Sequence, residues 1–307
     1  SIIMIHVNGF ISQQGKQILG NKRYALLYAV IFALFPYTTW LSLSVVALVT
    51  LRKGWREGAL LVMPVSTTYL GMLLVHEPTM VAVINTLLTF LPCYIAACAL
   101  GWSVSWRAVA GVFFLLTGIS AIALQIMLPE FIVTQYQYLT AAIAQAHPDL
   151  FVKALKDANE FGQLVFANYF FGLQMISVVL SAILPLMFAR SIQSRLYNPG
   201  GFRQEMLALR SNKLGLLIMG MLLIAVNQDK LIAMNLLPLL VFYFSLAGLS
   251  LSFHTLAQRK IRGRVVLLIA PLIALPFVMI PVYLILASVD SLFNLRLYLS
   301  SNAGKTT

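Results

Sequence analysis

Residues 22–53, KRYALLYAVIFALFPYTTWLSLSVVALVTLRK, enclose 28 uncharged and mostly apolar residues between two basic pairs. A single membrane-crossing helix gathers its positive charge at the cytoplasmic end. This stretch has Lys22 and Arg23 before it and Arg52 and Lys53 after it. Pro36, near the middle, removes a helix hydrogen bond and crowds the preceding turn. The stretch therefore reads as a hairpin of two short arms bent over residues 35–39, with both basic ends on one side. Each arm has about 14 residues, roughly 21 Å of helix against a hydrocarbon core near 30 Å. The bend then has to lie below the outer lipid surface, where backbone groups need protein partners or a water-filled cavity. A single proline-kinked helix is the plainer alternative.

Composition supports the membrane setting. The chain has 307 residues, 60% of them hydrophobic and 10% charged, where a soluble domain carries about 25% charged residues. Mean hydropathy is +0.89. The apolar runs are continuous rather than alternating, which disfavours a β-barrel and predicts an all-α polytopic membrane protein. A net charge of +12 would suit nucleic acid in a soluble protein. Here it is explained by loops kept in the cytoplasm, and no nucleic-acid partner is expected. The first 20 residues lack a long apolar core with a small-residue cleavage site, so no cleavable signal peptide is expected. Cys93 and Cys98 lie about 140° apart on a helix and do not make a disulfide or a metal pair.

Further apolar segments cover 57–76, 79–100, 106–128, 161–188, 214–226, 231–253 and 265–289. With the two short arms they make about nine membrane segments, the N-terminus inside and the C-terminus outside. This threading puts 16 of the 21 Lys and Arg on the inner side. Lys153, Lys156, Lys230, Arg296 and Lys305 remain outside, with seven of the nine acids. The expected organisation is a cytoplasmic segment 1–23, a six-segment membrane domain 24–189, a basic cytoplasmic loop 190–213, three segments over 214–289 and an outer tail 290–307. The long outer loop, 129–160, carries Ile132, Tyr136, Leu139 and Ile143 at helical spacing. A second apolar face follows at Phe151, Ala154, Leu155 and Ala158. Both read as amphipathic helices that lie on the outer surface or lid the bundle.

The inner turn Arg195-Leu196-Tyr197-Asn198-Pro199-Gly200-Gly201-Phe202-Arg203 resembles the YybS-like family of bacterial multi-spanning membrane proteins, a likeness that covers most of 24–289. That resemblance implies a multi-pass protein of the bacterial inner membrane. The first six segments, with the bent hairpin and the basic turn Leu51-Arg52-Lys53-Gly54-Trp55-Arg56-Glu57-Gly58, resemble the membrane domain of the substrate-binding subunits of energy-coupling-factor vitamin transporters. The three segments after residue 213 depart from that six-helix pattern.

Four constellations bear on function. Ala25, Ala29 and Ala33 recur every fourth residue, a ladder that lets another helix approach closely in lipid. In the vitamin-transporter subunits such a ladder docks a partner, which makes this face either a partner-helix interface or internal packing. Glu160, Gln163 and Gln174 share one side of the segment that begins at 161, while Asn168 points elsewhere. Buried polar groups in a membrane face the bundle interior or a cavity. Thr38, Thr39 and Trp40 from the bend, with Gln163 and Gln174, are accordingly the expected ligand-binding residues; hydrogen bonding between helices is the alternative. Arg195, Arg203, Arg210 and Lys213 flank a short helix with Phe202, Met206 and Leu209 on one face, and are expected to contact anionic lipid. No Walker-type Gly-Lys-Ser/Thr follows the glycines of that turn. His6, His76, His147 and His254 have no metal-ligand spacing. Neither a catalytic motif nor a cofactor site is evident. Two functions stand: a transporter-like bundle that binds a small molecule, or a non-catalytic accessory subunit or assembly factor of a larger membrane complex.

Overall fold

The computed structural model describes residues 2–35, 37–146, 160–258 and 263–298, and every regular element among them is a helix. In chain order these are α1 (Ile2–Gly20), α2 (Lys22–Leu34), α3 (Thr39–Lys53), α4 (Trp55–Leu73), α5 (Thr79–Ser103), α6 (Trp106–Met127), α7 (Phe131–Ala146), α8 (Glu160–Tyr197), α9 (Gly201–Leu207), α10 (Lys213–Asn227), α11 (Leu231–Gln258), α12 (Arg264–Ala274) and α13 (Pro276–Phe293). Five are long and apolar enough to cross a membrane: α5, α6, α8 from Gly162 onward, α11 and α13. The chain is thus an all-α integral membrane protein. α10 and residues 265–274 of α12 are shorter apolar helices.

The helices fall into two compact units, residues 1–113 with 177–206 and residues 114–176 with 207–307. In the first unit the opening stretch is broken. α2 stops at Phe35, which is extended, and Tyr37 takes a left-handed φ of 67°. A helix end leaves carbonyls without partners. The Thr38 hydroxyl meets this need by donating to the carbonyls of Phe32 at 2.7 Å and Phe35 at 3.0 Å. α2 and α3 then pack on each other, and the Ser42 hydroxyl donates to the Ala29 carbonyl at 2.7 Å. Gly54, at φ 92°, turns α3 directly into α4. This conformation strains any residue with a Cβ.

Ala25, Ala29 and Ala33 are all buried, on a helix packed against α3 and α4. The ladder is spent on packing within the chain, and the expected partner-helix face is not on the surface. Residues 2–20, expected as part of a cytoplasmic segment, form a helix seated on α2 and α3, and the Tyr28 hydroxyl donates to Gln14 Oε1 at 3.0 Å.

The basic turn is clasped by its own unit. Arg190 Nε donates to both Glu205 oxygens at 3.1 and 3.2 Å, and Trp106 Nε1 donates to Glu205 Oε2 at 3.0 Å. Arg190 also donates to Gln193, whose amide donates to the Leu51 carbonyl. The Arg52 guanidinium lies 3.9 Å from the centre of the Tyr197 ring. Phe202 meets Trp106 edge to face. The apolar side of α9 therefore rests on protein at this residue, where the spacing had suggested lipid.

In the second unit Ile132 and Tyr136 of α7 are buried with Ala121, Ala167 and Phe171, so one expected amphipathic helix is present and packed. The second expected helix, with Phe151, Ala154, Leu155 and Ala158, lies outside the described residues. α10, α11 and α13 share a core of Met219, Leu240, Phe244, Ala247 and Ala287. Residues 265–289 form two helices rather than one: the chain breaks at Leu275, whose N–H bonds the Pro271 carbonyl, and restarts with Pro276 in the first turn of α13. Proline suits that position because the N–H it lacks would have no helical partner there.

Candidate functional site

A cavity of about 580 Å³ lies in the first unit beside the bend. Thr39, Trp40 and Leu43 of α3 line it together with Tyr69 of α4, Thr89 of α5 and Ser181 of α8. The volume lies within the roughly 300–1,000 Å³ of small-molecule pockets. Its polar groups divide into two kinds. The Thr89 and Ser181 hydroxyls donate to the carbonyls of Asn85 and Val178 on their own helices. Thr39 Oγ1, Trp40 Nε1 and the Tyr69 hydroxyl make no hydrogen bond among the described residues. Three donors on an otherwise apolar wall can orient a guest. The ring of Tyr69 is fixed edge to face on Phe90 at 5.4 Å, and that of Trp40 on Phe188 at 5.5 Å.

Of the residues expected from sequence, Thr39 and Trp40 line this cavity, while the Thr38 hydroxyl is occupied in closing the bend. Gln163 and Gln174 belong to the second unit, where Gln163 Oε1 accepts from Gln137 Nε2 at 3.4 Å. Tyr69, Thr89 and Ser181 escaped the sequence reading because single hydroxyls in apolar helices stand out in no pattern. Asn168, which the helical spacing sets apart from the glutamines, and Asn235 are both fully enclosed in the second unit.

Asp290 is the buried ionisable group that the sequence hid. Its side chain is 2% exposed, and its Oδ2 lies 3.3 Å from Arg296 Nε and 3.5 Å from Arg210 Nε. Arg210 Nη2 also donates to the Asp290 carbonyl at 2.6 Å, and the Tyr243 hydroxyl donates to the Arg210 carbonyl at 3.0 Å. The remaining Arg296 nitrogens donate to the carbonyls of Leu207 and Leu209. Burial lowers the pKa of Arg296, and Asp290 opposes that shift. Arg210 is thus held by protein, and Arg195, Arg203 and Lys213 are exposed. Arg210 and Arg296, expected on opposite sides of the membrane, meet at one carboxylate.

Among the described residues no three His, Cys, Asp or Glu side chains gather to hold a metal. Set against protein-family models, curated proteins and solved structures, the chain matches none.

Proposed function

We propose that this protein is a transporter-like membrane protein that binds a small molecule in the cavity under its opening bend. The three unpaired donors of Thr39, Trp40 and Tyr69 around about 580 Å³ carry this reading. Trp40 is 46% exposed and Thr39 and Tyr69 are half-buried, so these donors are open to a guest that enters the cavity. The accessory-subunit reading loses its main support because the alanine ladder is buried. The turn at 195–203 favours membership of the YybS-like family and a place in the bacterial inner membrane.

The test is native mass spectrometry of the protein in nanodiscs, with Tyr69→Phe as comparison. That variant keeps the ring on Phe90 and removes one hydroxyl. A co-purifying small molecule is expected on the wild type, with occupancy reduced about tenfold in the variant, the worth of one hydrogen bond. Equal occupancy in both proteins, or no bound species in either, defeats the proposal.

The threading is revised with it. We propose that residues 290–298 lie on the cytoplasmic side with the basic loop, and that α12 and α13 enter and leave the membrane on that side. α12 has 11 residues, about 16 Å, and is too short to cross. Moving Arg296 and Lys305 inward leaves only Lys153, Lys156 and Lys230 outside, a stronger inward bias of positive charge. In a cysteine-free background, Tyr298→Cys should resist an impermeant thiol reagent in intact cells, as Asn198→Cys should, while Gln145→Cys reacts. Labelling at 298 from outside returns 264–293 to a full crossing.

A further inference from the structure

We infer that the ligand is an elongated amphipathic molecule, with its polar end under the bend and its hydrocarbon chain in a second cavity alongside; the inference rests on the proposed binding function. The second cavity, about 330 Å³ in the same unit, is formed by α1, α2, α3 and α8, and its walls include Phe10, Ile18, Phe32, Val45, Phe188 and Ile192. Most of the few polar groups on its wall are already engaged, the Gln14 amide nitrogen being the remaining donor. The Tyr28 hydroxyl is used by Gln14, and the Ser44 hydroxyl donates to the Trp40 carbonyl at 2.8 Å. One cavity thus presents three unpaired donors, and the other presents mainly hydrocarbon.

The two are consecutive along one stripe of α8. Ser181, Leu184 and Pro185 line the first, and Phe188 and Ile192 line the second. Steps of three and four residues keep these positions on one face of the helix. From 181 to 192 the stripe extends about 16 Å. α3 lies against both: Thr39, Trp40 and Leu43 face the first cavity, and Leu41, Val45 and Leu48, turned roughly 140° around the helix, the second. The two linings touch where Trp40 of the first and Phe188 of the second stand edge to face. A polar compartment beside an apolar one, their linings meeting at two aromatic side chains, matches a polar head joined to a single chain. A compact polar solute would leave the second compartment unused.

The probes are 1-octanol, 1-dodecanol and 1-hexadecanol, added at equal mole fraction to the protein in phosphatidylcholine nanodiscs, with thermal unfolding as the readout. Lipid tails are as apolar as a protein interior, so a longer chain gains nothing merely by leaving the bilayer. A chain-length preference under these conditions reports fit. The wild type is expected to be half-saturated by 1-dodecanol or 1-hexadecanol at a concentration about fivefold lower than by 1-octanol, from added contacts in the second cavity. Val45→Phe, which fills that cavity, should abolish the preference. Leu41→Trp, at a less buried position on the same wall, serves the same purpose if Val45→Phe does not fold. Tyr69→Phe should weaken all three alcohols alike. Chain-length-independent stabilisation that stays sensitive to Tyr69→Phe overturns the two-compartment ligand and leaves the pocket under the bend intact. A preference unaffected by either filling variant also overturns it. Stabilisation insensitive to Tyr69→Phe rejects both the extension and the pocket.

Discussion

Asp290→Leu is expected to destabilise the protein by about 3–5 kcal/mol, the typical cost of removing one partner from a buried ion pair. The carboxylate is 2% exposed and faces Arg296, itself 11% exposed, so its loss leaves a guanidinium enclosed without its counter-charge. Arg210, at 27%, has more solvent to fall back on and should account for less of the loss. Arg296 would still donate to the carbonyls of Leu207 and Leu209, which keeps the damage within this range. Denaturant or thermal unfolding in a fixed detergent measures the effect. The double variant Asp290→Leu, Arg296→Leu should recover part of it, since no enclosed positive charge remains at that position. The difference between double and summed single variants isolates the coupling. An Asp290→Leu protein within about 1 kcal/mol of the wild type would mean that the cluster is solvated in the native state, contrary to its burial.

That cluster also marks the limit of what the sequence reveals here. Asp290 stands at the end of an apolar run, where an acid reads as an interfacial residue, and Arg296 lies in what looks like a tail. Their partner, Arg210, is 80 residues away, and no local pattern pairs them. The break at Leu275 was missed for a different reason. Hydropathy sums apolar side chains, and Pro271, Pro276 and Pro281 barely lower the sum although they govern where a helix can continue. In α9, the periodicity of Phe202, Met206 and Leu209 says that one face is apolar. It does not say whether lipid or Trp106 covers that face. The opening bend was legible because two independent signals, the proline and the paired basic ends, coincide there. The alanine ladder was legible as a close-packing face, but spacing alone does not distinguish a partner from the chain's own α3 and α4. Two of the five expected ligand residues, Thr39 and Trp40, line the cavity, and both belong to the bend. Gln163 and Gln174 were assigned to it from polarity alone.

Gly248→Ala should disrupt the second unit more than any other single methyl addition described here. A Cβ at 248 would lie 1.9 Å from the Tyr283 carbonyl oxygen, 2.6 Å from its carbon and 2.8 Å from its Cα. All three are backbone atoms, so no rotamer change can relieve the overlap, and α11 and α13 must move apart as bodies. Separation would loosen the core around Ala247 and Ala287, and would strain the bond from the Tyr283 hydroxyl to the Leu268 carbonyl that ties α12 to α13. Overpacking a core costs about 1–3 kcal/mol even where side chains can adjust. Here the expected loss exceeds that range, with a lower yield of monodisperse protein and a thermal midpoint well below wild type. Helix propensity alone predicts the opposite, since alanine is favoured over glycine by about 1 kcal/mol in a helix interior. Gly220→Ala is the internal control. It lies on α10, where a Cβ would meet nothing within 4 Å, and it should leave stability unchanged or slightly raised. If the two alanine variants unfold at the same temperature, α11 and α13 are not in backbone contact at Gly248, and the packing of the second unit described here is wrong.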